Sequence, residues 1–139
     1  MNGKPRAYLD LVRAPNLFTA AADVLAGFLY SGGGLDRWTE LVGLVAASVF
    51  LYAGGVALND VCDVARDRGE RPERPIPSRR ISRRAAWRLA TGLLVIGFGF
   101  AALTSTRAAM IAGSLTVAIV LYDAVQPPRA KKALAAGAE

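Results

Sequence analysis

Asn59, Asp60, Asp63 and Asp67 stand where a long apolar run gives way to a charged, proline-punctuated stretch covering residues 58–84. Asn59, Asp63 and Asp67 are four residues apart. On a helix that spacing drifts only about 40° per step, so the three side chains share one face. Asp60 projects about 20° from Asp67 by the same geometry. Carboxylates on one face repel each other unless a cation sits between them. Hard oxygen donors suit Mg²⁺, which keeps several waters and takes further ligands from a substrate phosphate. The basic residues that follow, from Arg66 to Arg84, can meet the charge of the same phosphate. A mixed charge run is more often only solvated surface. The Asn/Asp step at the mouth of an apolar helix is what favours a site.

The elements that must hold these residues are apolar. Hydrophobic residues make up 53% of the 139-residue chain, and charged ones are confined to a few blocks. Such patterning points to a membrane protein rather than a soluble domain. Helices are the expected spanning form, because a helix satisfies its own backbone in lipid. Four spans are read, at about 11–31, 41–59, 87–104 and 108–125, with 60–86 as a motif loop. The expected fold is all-α, a single polytopic membrane bundle over 1–139. A short interfacial helix is expected around Tyr8–Val12, ahead of Pro15. Small residues such as Gly54-Gly55 suit close helix approach. Pro72, Pro75 and Pro77 break any helix in the loop, and Ser82 can cap the next one. Pro127-Pro128 stops the last span, and the tail Arg129–Glu139 is read as frayed.

Charge gives an orientation. The net charge is +6, and of 17 basic residues only Arg37 and Arg107 fall in the other two connections between spans. The positive-inside rule places both termini and the motif loop in the cytoplasm. Aromatic residues are not interleaved with the bases, so a nucleic-acid partner gets no support. There is no His, and the single Cys62 excludes an internal disulfide and a Cys-based zinc site. No cleavable signal peptide is expected. Asp23 lies within the first apolar block. An ionisable group at that depth faces the bundle interior or a wet cavity, as a functional group or as a structural hydrogen-bond partner.

Asn59-Asp60-x-x-Asp63-x-x-x-Asp67, followed by Arg74-Pro75-Ile76-Pro77-Ser78-x-Arg80-Ile81-Ser82, resembles the first aspartate motif and following loop of the UbiA superfamily of intramembrane prenyltransferases. Arg13-Ala14-Pro15-Asn16 resembles the start of that family's first helix, and Tyr122 a tyrosine near the end of its fourth. The resemblance implies a Mg²⁺-dependent enzyme that moves a prenyl group from an isoprenyl diphosphate to an acceptor. Carried over, Asn59, Asp63 and Asp67 would hold the metal with Asp60 beside them. Arg74 and Arg80 would neutralise the leaving group, and Asn16 would line the substrate pocket. Asp23 is a candidate for the base or for an acceptor contact. Two features depart from the family pattern. No second Asp-rich motif follows, since the acids after Asp67 are Glu70, Glu73, Asp123 and Glu139. Arg79-Arg80 also stands where Gly-Arg is usual. The chain therefore reads as the N-terminal half of such a fold, completed by a complementary half or by self-association. The alternative is a truncated, non-catalytic membrane protein with an assembly or lipid-binding role.

Overall fold

The computed structural model describes residues 3–125, and these form six α-helices with no strand. Pro127-Pro128 and the tail lie outside the described residues. Helix α1 spans Lys4–Leu11, starting earlier than the expected Tyr8, with Pro5 in its first turn. It is short, and it buries Ala7 and Leu11 almost completely. The chain then breaks at Arg13, whose φ of 50° is left-handed. Helix α2 therefore begins at Ala14 and runs to Tyr30, rather than starting at residue 11. Pro15 reinforces the break, because its ring sets φ and its missing N–H costs nothing in a first turn.

After a 3₁₀ turn at Leu35–Arg37, helix α3 covers Trp38–Cys62. Its 25 residues extend about 37 Å, more than the roughly 30 Å hydrocarbon core. Helix α4, Val64–Glu70, follows almost without a gap. Helix α5 is Arg83–Thr104 and α6 is Thr106–Val125. Ser82 caps α5 by accepting a 3.2 Å bond from the Ala85 N–H, satisfying an otherwise unpaired first-turn donor. Ser105 is extended and does the same for Ala108 at 3.1 Å, so one residue suffices to turn α5 into α6.

Helices α3, α5 and α6 are long and apolar enough to cross a membrane. Helix α2, expected as the first span, has 17 residues and measures about 26 Å.

Helix α3 is the centre of the bundle. It packs most extensively on α5, then on α2, and also on α6. Small residues make the α3–α5 seam possible. A Cβ placed on Gly54 would lie 2.9 Å from the Leu94 backbone nitrogen, and one on Gly97 would lie 2.9 Å from that of Leu51. The two glycines thus each receive a leucine from the other helix. Ala47, Ala57, Ala90 and Ala101 are buried in the same core. In lipid such close backbone approach is a main source of helix association.

The loop after α4 is not free. Ile76 and Ile81 are 6% and 4% exposed. The Ile81 N–H reaches back to the Pro75 carbonyl at 3.0 Å, and the Ser78 N–H to that of Arg74 at 3.0 Å. Arg79 completes the turn with φ 62°, a left-handed conformation that glycine adopts without a steric penalty. This gives the physical sense of the usual glycine at that place.

Candidate functional site

The bundle runs antiparallel, so the start of α2, the end of α3 and the end of α6 meet on one side. That junction opens a cavity of about 700 Å³. Leu51, Val56, Leu115 and Ile119 give it apolar walls. Arg13, Asn16, Asn59, Tyr122 and Asp123 bring polar groups to its motif end. The Asn16 Nδ2 donates to the Tyr52 hydroxyl at 3.1 Å, tying α2 to α3 across the opening. Asp23 lines the same cavity, about two and a half turns further along α2. Apolar walls with convergent polar groups at one end are what an amphiphilic ligand needs.

The four motif residues are divided rather than gathered. Helical bonding continues through the α3–α4 junction: the Asp63 N–H donates to the Asn59 carbonyl, and the Asp67 N–H to that of Asp63, both at 2.9 Å. Asp60 and Asp67, seven residues apart, are 4% and 3% exposed. Both turn to Arg74, whose Nη1 lies 3.0 Å from Asp60 Oδ1 and 2.7 Å from Asp67 Oδ2. Arg13 approaches Asp60 at 3.5 Å. Asp63 instead accepts from Arg66 Nη1 at 3.2 Å, and Asn59 faces the cavity. Arg74 is thus engaged with the motif's own carboxylates. Arg80 lies apart, bonded to Asp10 at 2.7 Å and to the Glu73 carbonyl at 2.9 Å.

Among the described residues, no three His, Cys, Asp or Glu side chains come together as a metal site. The residues present still fit a magnesium ion that completes its shell from a ligand. Asn59 lines the cavity, Asp63 one helical turn further on carries a second hard-oxygen donor, and Asp67 has a carboxylate oxygen beyond the one given to Arg74. Asp123, 9% exposed, also holds a buried Oδ2 with no hydrogen-bond partner among the described residues. Mg²⁺ commonly uses one or two carboxylates and fills the remainder with water and phosphate oxygens.

Tyr52, Arg13 and Asp123 are among the cavity residues outside the expected set. Tyr52 is seven residues before Asn59 and so on its face, a signal present in the spacing. Arg13 stood in a recognised motif without a role. Asp123 read only as the end of a span, and nothing in the local sequence marks its burial.

The sequence matches the UbiA prenyltransferase family over residues 20–135. The chain belongs to the UbiA prenyltransferase family. UbiA-family relatives named digeranylgeranylglyceryl phosphate synthase include that of Methanopyrus kandleri, 42% identical over 85% of this chain and 43% of its own. That of Ignicoccus hospitalis is 44% identical over 69% of this chain and 31% of its own. That of Saccharolobus solfataricus is 35% identical over 84% and 42%. A solved structure concerned with digeranylgeranylglyceryl phosphate synthase in membranes superposes with a TM-score of 0.81 at 29% identity. The match covers 86% of this chain and 43% of that one. The chain therefore spans less than half the length of the relatives it matches, and its fold is an all-helical UbiA membrane bundle over that part.

Proposed function

We propose that this chain is the diphosphate-binding half of a UbiA prenyltransferase that moves a geranylgeranyl group from its diphosphate to a glycerol-phosphate hydroxyl. The named relatives motivate the acceptor, since a digeranylgeranylglyceryl phosphate carries two geranylgeranyl groups on one glyceryl phosphate. The observation that carries the proposal is the cavity whose apolar walls end at Asn59 and the start of α2. It offers lipid-like surroundings to an isoprenoid and polar groups to a diphosphate.

Asn59, Asp63 and Asp67 would hold Mg²⁺, which when bound neutralises charge growing on the departing diphosphate. Asp60 and Asp67 hold Arg74 by its Nη1, which leaves Nε and Nη2 to donate to phosphate oxygens. Arg80 adds charge from the same loop. The apolar walls exclude water from the allylic carbon as its C–O bond to diphosphate breaks. The acceptor oxygen then bonds that carbon and its proton leaves to a base, a role this reading gives to Asp23, which lines the cavity. Helix α2 would be the fourth span, with the motif loop and both termini cytoplasmic. The rest of the fold would come from a complementary half or by self-association.

The test is binding of geranylgeranyl thiolodiphosphate, a non-reacting donor analogue, to the detergent-solubilised chain by calorimetry. Binding is expected to require Mg²⁺. It should weaken at least about tenfold in Asp63→Asn, as loss of a metal ligand demands. Binding that ignores both Mg²⁺ and Asp63 refutes the site. Failure to bind at all leaves the non-catalytic assembly or lipid-binding role.

A further inference from the structure

Asp123 presents an energetic problem that the motif does not solve. The residue is 9% exposed at the end of α6, and its Oδ2 is buried without a partner among the described residues. An ionised carboxylate taken out of water without a cation or hydrogen bonds is strongly unfavourable. Arg13, which lines the same cavity, approaches Asp60 at 3.5 Å. The charged neighbour that acts on Asp123 is Asp63, a like charge from the motif. Asn59 lines the cavity beside it. Asp123 is unpartnered among the described residues and lines the cavity with Asn59, and the Asp63 carboxylate bears on it from the end of α3. A divalent cation resolves the repulsion and satisfies the orphaned oxygen at once.

We propose that Asp123 is a further cation ligand, holding a divalent ion together with Asp63 and the oxygens of a bound diphosphate. This rests on the reading of the cavity as a diphosphate site, and adds to it a ligand from α6 that lies outside the aspartate motif. It makes the end of α6, and not only the end of α3, part of the ion's cage. Metal binding then clamps the two hairpins α2–α3 and α5–α6 together across the cavity mouth.

The experiment uses the full chain in detergent, with Mn²⁺ as the oxygen-seeking probe and inorganic pyrophosphate as the anion, read by electron paramagnetic resonance. The wild-type chain is expected to bind Mn²⁺ more tightly with pyrophosphate present. Asp123→Asn should weaken that binding at least about tenfold, because a direct ligand counts for no less than a ligand's supporting partner. Glu40→Gln, at the far end of α3 and paired with Arg37, should leave it unchanged. Asp123→Asn keeps the shape and removes an unpaired buried charge, so its metal-free melting temperature should equal or exceed wild type. Asp123→Ala, which opens the cavity rather than crowding it, gives the second binding measurement. If Asp63→Asn loses Mn²⁺ while both Asp123 variants bind like wild type, the α6 ligand is refuted and the diphosphate reading stands. If the folded wild-type chain shows no pyrophosphate-dependent Mn²⁺ signal, the diphosphate reading itself fails and this ligand with it.

Discussion

Replacing Arg74 tests how the motif is held. In Arg74→Gln, the Asp60 and Asp67 carboxylates, with side chains 6% and 4% exposed, lose the guanidinium they share. Arg13 remains 3.5 Å from Asp60, but its side chain is 41% exposed, so it offsets at most about 1 kcal/mol. Removing one partner of a buried ion pair costs about 3–5 kcal/mol, because the other charge stays buried and unmet. The variant should therefore lose about 3–5 kcal/mol of unfolding free energy. The assay is reversible unfolding in mixed micelles, followed by helical circular dichroism. The companion is the triple variant Asp60→Asn, Asp67→Asn and Arg74→Met, which removes all three charges at similar volume. It should recover most of the loss, since a buried ion cluster and a neutral packed replacement differ little. A loss below about 1 kcal/mol in Arg74→Gln would mean the cluster behaves as an exposed pair, and the scaffold argument would fail.

Two further variants probe the frame around the site. Gly54→Ala and Gly97→Ala each drive a methyl to 2.9 Å of a backbone nitrogen on the facing helix. Each should cost about 1–3 kcal/mol in the same unfolding assay, as overpacking does. Arg79→Gly should be neutral or stabilising by up to about 1.5 kcal/mol. Relief of the left-handed strain, about 1–2 kcal/mol, is set against the extra unfolded-chain freedom of glycine, about 0.5–1 kcal/mol.

The fold was largely readable because its signals are local. Apolar runs, Pro15, Ser82 and the proline-rich loop mark helix starts and stops through backbone chemistry that tertiary packing does not override. The helical ends nearest the site were less readable. Helix α3 yields to α4 at Asp63 with no Pro or Gly to announce it. The break before α2 rests on a left-handed Arg13, a residue with no preference for that conformation. The same holds at Arg79. The partition of the motif was only partly readable, in that helical spacing already sets Asp60 about 20° from Asp67. Four-residue spacing places Asn59, Asp63 and Asp67 on one face, yet the pairing of Asp60 with Asp67 is chosen by Arg74, which the loop folds back from 14 and 7 residues away. Asp123 owes its burial to α3 packing beside α6, a long-range event without a local signature.

The glycine seam between α3 and α5 has a mechanical meaning. Leu94 seated over Gly54 and Leu51 over Gly97 act as two interlocking teeth, so neither helix can slide along the other without one tooth riding over a backbone. The middle of the molecule is a fixed keel. Any widening of the cavity must come from α2 or α6 tilting outward, while the aspartates at the end of α3 stay where the keel puts them.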